Sequence, residues 1–129
     1  MPELAATILL LFCLLQIKHM FADYFLQTAR MIAGRGTYLH MGRTQHAAIH
    51  ALLSIPCFLV IGAELRFVLI LVAVEWAVHF HIDWAKARYS DTRALHPGQA
   101  HFWRAFGVDQ TLHALTYVAM VWAWLTYAL

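Results

Sequence analysis

Charge is what this chain has least of. Asp, Glu, Lys and Arg make up 12% of its 129 residues, against 62% hydrophobic. A water-soluble domain is about a quarter charged and about 45–50% apolar. So little polar surface excludes an ordinary soluble particle and points to the bilayer. Basic runs are missing as well: a formal charge of +2, scattered along the chain, excludes a nucleic-acid partner. Cysteine is rare, and Cys13 and Cys57 lie in apolar stretches without CxxC spacing; both are expected to be buried thiols without a redox or metal role. The opening MPELAAT lacks a basic leader, so the first apolar stretch is expected to be a retained helix rather than a removed signal peptide. The length suits one domain and is short for two.

What is present is four apolar segments, at 4–27, 46–63, 66–86 and 109–129. Crossing a bilayer takes about 17–25 residues, and backbone groups in lipid must be satisfied internally, so each segment predicts a membrane helix. Pro56 falls inside the second and is a candidate kink. The links set the orientation. Residues 28–45 hold Arg30, Arg35 and Arg43, with Gly34 and Gly36 breaking the helix, and residues 87–108 hold Arg88, Arg93 and Arg104. The middle link is short, and the C-terminal segment ends without a charged side chain. The positive-inside rule makes the two Arg-bearing loops cytoplasmic. The expected fold is all-α: an integral-membrane four-helix bundle, up-and-down, with both termini on the outer side.

Each predicted helix carries one ionisable pair four residues apart, the spacing that puts two side chains on one face. These are His19 and Asp23, His46 and His50, His79 and Asp83, and Asp109 and His113. The pairs come late in helices one and three and early in helices two and four. At about 1.5 Å rise per residue, all sit within about two turns of the cytoplasmic surface. A single pair would be explained as a hydrogen-bonded couple joining two helices. Four level pairs are more than helix association needs, since small residues and hydrogen bonds of about 0.6–2 kcal/mol suffice for that, and ionised residues in lipid cost about 2.5–3.5 kcal/mol or more.

Imidazole and carboxylate donors on the inward faces of four helices are how bundles build metal sites. Eight donors exceed the four of a tetrahedral ion and suit two divalent ions, Zn or Fe, with Mn allowed, because N/O donors serve all three. Two ions and a bridging hydroxide would neutralise the three aspartates; one ion with Lys86 would as well, so charge leaves the count open, and the donor number favours two. Metal-bound histidines usually need a partner for the second ring nitrogen. Gln16 and Gln27, Glu75 and Lys86, Ser54 and Gln110 fall close enough in sequence to supply one, and Lys86 could equally snorkel to the interface. His81 points elsewhere, and His40, His96 and His101 are expected to be loop residues.

The stretches HMFADYFLQ, HAAIH, HFHIDWAK and FGVDQTLH resemble the recurring blocks of a small bacterial membrane protein family, domain of unknown function 3307. The resemblance covers nearly the whole chain. It falls on His19, Asp23 and Gln27, on His46, on His79, Asp83 and Lys86, and on Asp109, Gln110 and His113; His50 and Glu75 match less closely. It implies a multi-pass protein of the bacterial inner membrane and brings no activity. Function must come from the site. The leading expectation is a metal-dependent enzyme acting on a lipid or lipid-linked substrate, with hydrolysis ranked ahead of di-iron oxidation. Lys86, Arg88 or Arg104 could hold an anionic head group. The alternatives are an accessory subunit of a larger membrane complex or homo-oligomer, stapled by metal, and a metal-ion or proton transporter. Transport ranks last because the outer halves, such as FVLILVAV and YVAMVWAWLTYAL, offer a cation no steps.

Overall fold

The computed structural model describes every residue of the chain except Arg35, so that arginine's part in the loop-charge asymmetry lies outside the described residues. Five helices follow one another: α1 (Pro2–Tyr24), α2 (Ala29–Ile32), α3 (Met41–Val60), α4 (Leu65–Thr92) and α5 (Ala100–Tyr127). No strand occurs among the described residues. α3 packs on α4, α4 on α5, and α1 on both α3 and α5, while α2 lies against α3. Two helices, Pro2–Tyr24 and Leu65–Thr92, are long and apolar enough to cross a membrane.

Local chemistry sets the boundaries. Pro2 opens α1, where its missing N–H costs nothing. The link between α3 and α4 is tight because Gly62 adopts φ +80, which a residue without Cβ does freely. Gly62 N then donates to Leu59 O and Ala63 N to Phe58 O, closing the last carbonyls of α3 in a Schellman arrangement. α3 itself continues through Pro56.

The long loops are shorter than their charge suggests. Residues 28–45 contain α2, capped by Thr28, whose Oγ1 accepts from Met31 N at 3.4 Å, and also the first turn of α3, where His40 Nδ1 accepts from Gly42 N at 3.1 Å. His40 is therefore a helix cap. Residues 87–108 reduce to 93–99, because α4 extends to Thr92 and α5 begins at Ala100. α4 ends where Ala94 turns to φ +48, with Ala94 N donating to Asp91 O and Leu95 N to Ser90 O, and Pro97 and Gly98 lie in the link that follows. His101 accordingly sits in the first turn of α5 and not in a loop. α1 stops at Tyr24, leaving Gln27 in the link to α2.

One stripe of each long helix is buried, and its chemistry changes along its length. At one end it is apolar: Leu11 and Leu15, Phe58, Val68 and Val72, Met120 and Trp124 form one core. At the other end the same stripes carry His19, His46 and His50, His79, and Asp109 and His113. The outward faces stay apolar, with Ile17, Leu52, Ile70 and Leu115 exposed. Cys57 is buried as expected, but Cys13 is exposed: it is two residues past Leu11 and two short of Leu15, and so falls off the stripe.

Candidate metal centre

The polar ends of the four stripes meet. Nε2 of His50 donates to Asp23 Oδ1 at 3.0 Å, and Nε2 of His46 lies 3.3 Å from the same oxygen. His19 Nε2 is 3.2 Å from Asp23 Oδ2. Around the second carboxylate, His113 Nε2 donates to Asp83 Oδ1 at 3.2 Å. His79 Nε2 and His46 Nε2 approach Asp83 Oδ2 at 3.3 and 3.5 Å. Asp109 joins through Oδ1, 3.6 Å from His113 Nε2. His50 and His79 rings lie 3.8 Å apart, and His79 and His113 rings 4.2 Å apart. The structure thus brings together His19, Asp23, His46, His50, His79, Asp83, Asp109 and His113, two from each long helix.

Donors about 2.0–2.1 Å from a tetrahedral ion sit about 3.3–3.4 Å from one another. The nitrogen–oxygen spacings above match that edge, and they also match hydrogen bonds. Satisfaction separates the two. His79 Nε2 is buried and, although close to Asp83, has no hydrogen-bond partner among the described residues; Asp109 Oδ1 has none either. A buried polar atom left in that state costs about 1–3 kcal/mol, and a cation shared with its neighbours removes that cost. Ligand atoms of Asp23, His46, His50 and His79 all lie within 4.8 Å of one another, as do those of His79, Asp83 and His113. Either group could hold a metal ion, and His79 is common to both.

The surrounding residues divide by what they touch. Gln110 Oε1 lies 3.3 Å from His19 Nε2, and its amide donates to Asp109 Oδ2 at 3.2 Å, so it joins two of the donors. Tyr117, which the sequence did not single out, holds His19 Nδ1 at 2.8 Å, one turn beyond His113. Glu75 does not reach His79. It takes a 2.5 Å ion pair from Lys18 instead, and Lys18 Nζ also donates to His50 O at 3.0 Å. Gln16 is exposed, because the α1 stripe runs through Lys18 and His19 and passes it by. Ser54 is buried, with no partner for its hydroxyl among the described residues. His81 faces away, bonded to Tyr38 Oη at 3.0 Å and to Ala77 O at 2.7 Å.

A cavity of about 140 Å³ opens onto the cluster. Asp23, His46, Asp83, Asp109 and Gln110 line it on the cluster side, and Gln27, Met31, Arg43, Lys86 and Phe106 complete its wall. The side chains of Asp23 and Asp83 keep 19% and 22% of their surface exposed, whereas His50 and His79 are enclosed. Lys86 touches none of the eight donors through an ion pair; it lies 5.7 Å over the Phe106 ring.

No curated protein and no solved structure matches the chain. Residues 10–129 match the family described as "Protein of unknown function (DUF3307)", and the chain belongs to that family.

Proposed function

We propose that this DUF3307 family member is a four-helix protein of the bacterial inner membrane, with both termini outside, that works as a divalent-metal enzyme on a lipid or lipid-linked substrate. Membrane residence is supported by outward faces that are apolar along all four long helices, while Lys18, Glu75 and Asp109 within them are buried and the exposed charges lie toward the helix ends and links. That distribution is the reverse of what water selects and suits hydrocarbon. In α3 and α5 the polar residues come first in the helix, so their apolar length is shorter than in α1 and α4.

The observation that carries the metal reading is His79: a buried Nε2 without a hydrogen-bond partner among the described residues, common to two groups of candidate ligands. One or two Zn, Fe or Mn ions would be held by Asp23, His46, His50, His79, Asp83 and His113, with His79 serving one of them and His19 and Asp109 beside them. Bound there, divalent ions would act as Lewis acids and activate water. The chain's own residues would orient that chemistry. Tyr117 fixes the His19 ring, Gln110 links His19 to Asp109, and Asp23 and Asp83 face the cavity that a substrate must use. Hydrolysis of an ester or phosphoester is the reaction proposed: water supplies hydroxyl to the acyl or phosphoryl group and a proton to the leaving oxygen.

Elemental analysis of protein purified in detergent without added metal tests the reading. Near-stoichiometric Zn, Fe or Mn, lost in His79→Ala and in Asp83→Ala, is the expected result. A folded protein free of metal, equally stable in both variants, would overturn it.

A further inference from the structure

Arg43 was read from the sequence as a loop residue under the positive-inside rule. It is 2% exposed in the first turn of α3, and none of its three guanidinium nitrogens has a hydrogen-bond partner among the described residues. Its Cζ lies 5.3 Å from the Phe80 ring, and Asp83 and Asp91 act on its charge without accepting a hydrogen bond from it. A buried guanidinium without an acceptor is a costly arrangement, and its position shows what would relieve it. Arg43 lies three residues before His46, so both point from one face of α3, and both line the cavity above the cluster. Lys86 lines the same cavity. α2 is clamped over this end of α3: a Cβ on Gly42 would collide with Arg30 O and sit 2.9 Å from Met31 Cα.

Charge points the same way. Lys18 is already neutralised by Glu75. Three aspartates cannot offset two divalent ions together with Arg43 and Lys86, so the loaded site would face the cavity with surplus positive charge. At about 30 Å³ per water, 140 Å³ is room for a few waters or for one tetrahedral oxyanion.

We propose that Arg43 and Lys86 form an oxyanion subsite, and that the group they hold beside the cluster is the phosphate of a phosphate ester. Guanidinium binds phosphate through paired N–H donors, and Lys86 adds a point charge at the rim. This deepens the enzyme reading and rests on it for the charge of the metal ions and for the statement that the bound anion is the substrate. An apolar groove of about 390 Å³ between α4 and α5, walled by Ile82, Ala85, Val108 and Leu112, shares Lys86 and Asp109 with the cavity. A hydrocarbon chain on the ester would lie there.

The test is titration of the full-length protein in detergent, as purified and after chelation, with inorganic phosphate, glycerol phosphate and a phosphatidic acid in mixed micelles. Binding is read by calorimetry. Arg43→Lys keeps the charge and loses the paired donors, and Lys86→Gln removes charge from the rim without opening the core. Each is expected to weaken phosphate binding about tenfold or more, with metal content unchanged. Tighter binding of phosphatidic acid than of glycerol phosphate assigns the ester to a lipid; equal binding assigns it to a soluble phosphate, and the subsite stands in both cases. Absence of phosphate binding, or binding indifferent to both substitutions, overturns it. Protein that is free of metal as purified, yet binds phosphate through Arg43, would instead sink the metal reading and leave the subsite intact.

Discussion

Replacing Glu75 with Leu strips Lys18 of its counter-charge in a place where water cannot compensate. Lys18 Nζ has Glu75 Oε1 at 2.5 Å, His50 O at 3.0 Å and the Tyr117 ring at 4.6 Å. The two side chains are 6% and 0% exposed. Removing one partner of a buried ion pair costs about 3–5 kcal/mol, because the other charge stays behind. The His50 carbonyl and the Tyr117 ring remain for Lys18, so Glu75→Leu belongs at the lower end, about 3 kcal/mol, a factor of about 100 or more in the folding equilibrium. Lys18→Met belongs nearer about 5 kcal/mol. Glu75 Oε2 has no hydrogen-bond partner among the described residues to begin with, and the variant leaves Oε1 bare too. Apolar replacement of a whole buried pair is often neutral or stabilising, so the Lys18→Met, Glu75→Leu double variant should recover most of the loss. Reversible unfolding in detergent micelles, followed by fluorescence of the five tryptophans, measures all three proteins. A double variant no more stable than the worse single one would show that the two charges act separately, and the reasoning would fail.

Gly42→Ala should push α2 off the start of α3, since the new methyl meets Arg30 O and Met31 Cα; overpacking of this kind costs about 1–3 kcal/mol. Faster amide exchange at residues 29–32 is the expected sign, and unchanged exchange there would contradict the close approach. Metal retention should fall as pH is lowered from 7.5 to 5.5, because histidine ligates only as neutral imidazole. Protons and the ion compete for the same ring nitrogens, so retention that stays flat into strong acid would exclude a histidine-based site.

The layer of His and Asp was legible because two periodicities coincide: each pair repeats at one helical turn, and each lies at a similar distance from an Arg-bearing link. That His81 points elsewhere followed from the same geometry, being two residues from His79. Lys18 was missed for a related reason. It looks like a neighbour of His19 on another face, but the buried stripe of α1 is wide enough for both. Its signal was present: a lone lysine in an apolar run, with Glu75 the matching acid just beyond the pair on α4. Arg43 was hidden because α3 starts five residues earlier than its apolar pattern, behind a His40 cap that is not one of the usual capping residues. Tyr117 could have been found as the next turn after Asp109 and His113. Helix α2 could not, since four residues and a Thr–Met cap leave no periodic trace.

The cavity has a floor. Beneath Asp23 and Asp83 lie the enclosed rings of His50 and His79, then the Lys18–Glu75 pair, then Leu11, Phe58 and Val68, packed without exposure. Whatever reaches the carboxylates therefore leaves through the opening by which it came. On the proposed membrane reading, arrivals and departures share one doorway, so occupancy would follow the concentrations in a single compartment, and spent ligand would compete directly with fresh. On that reading the site is a basin and not a conduit.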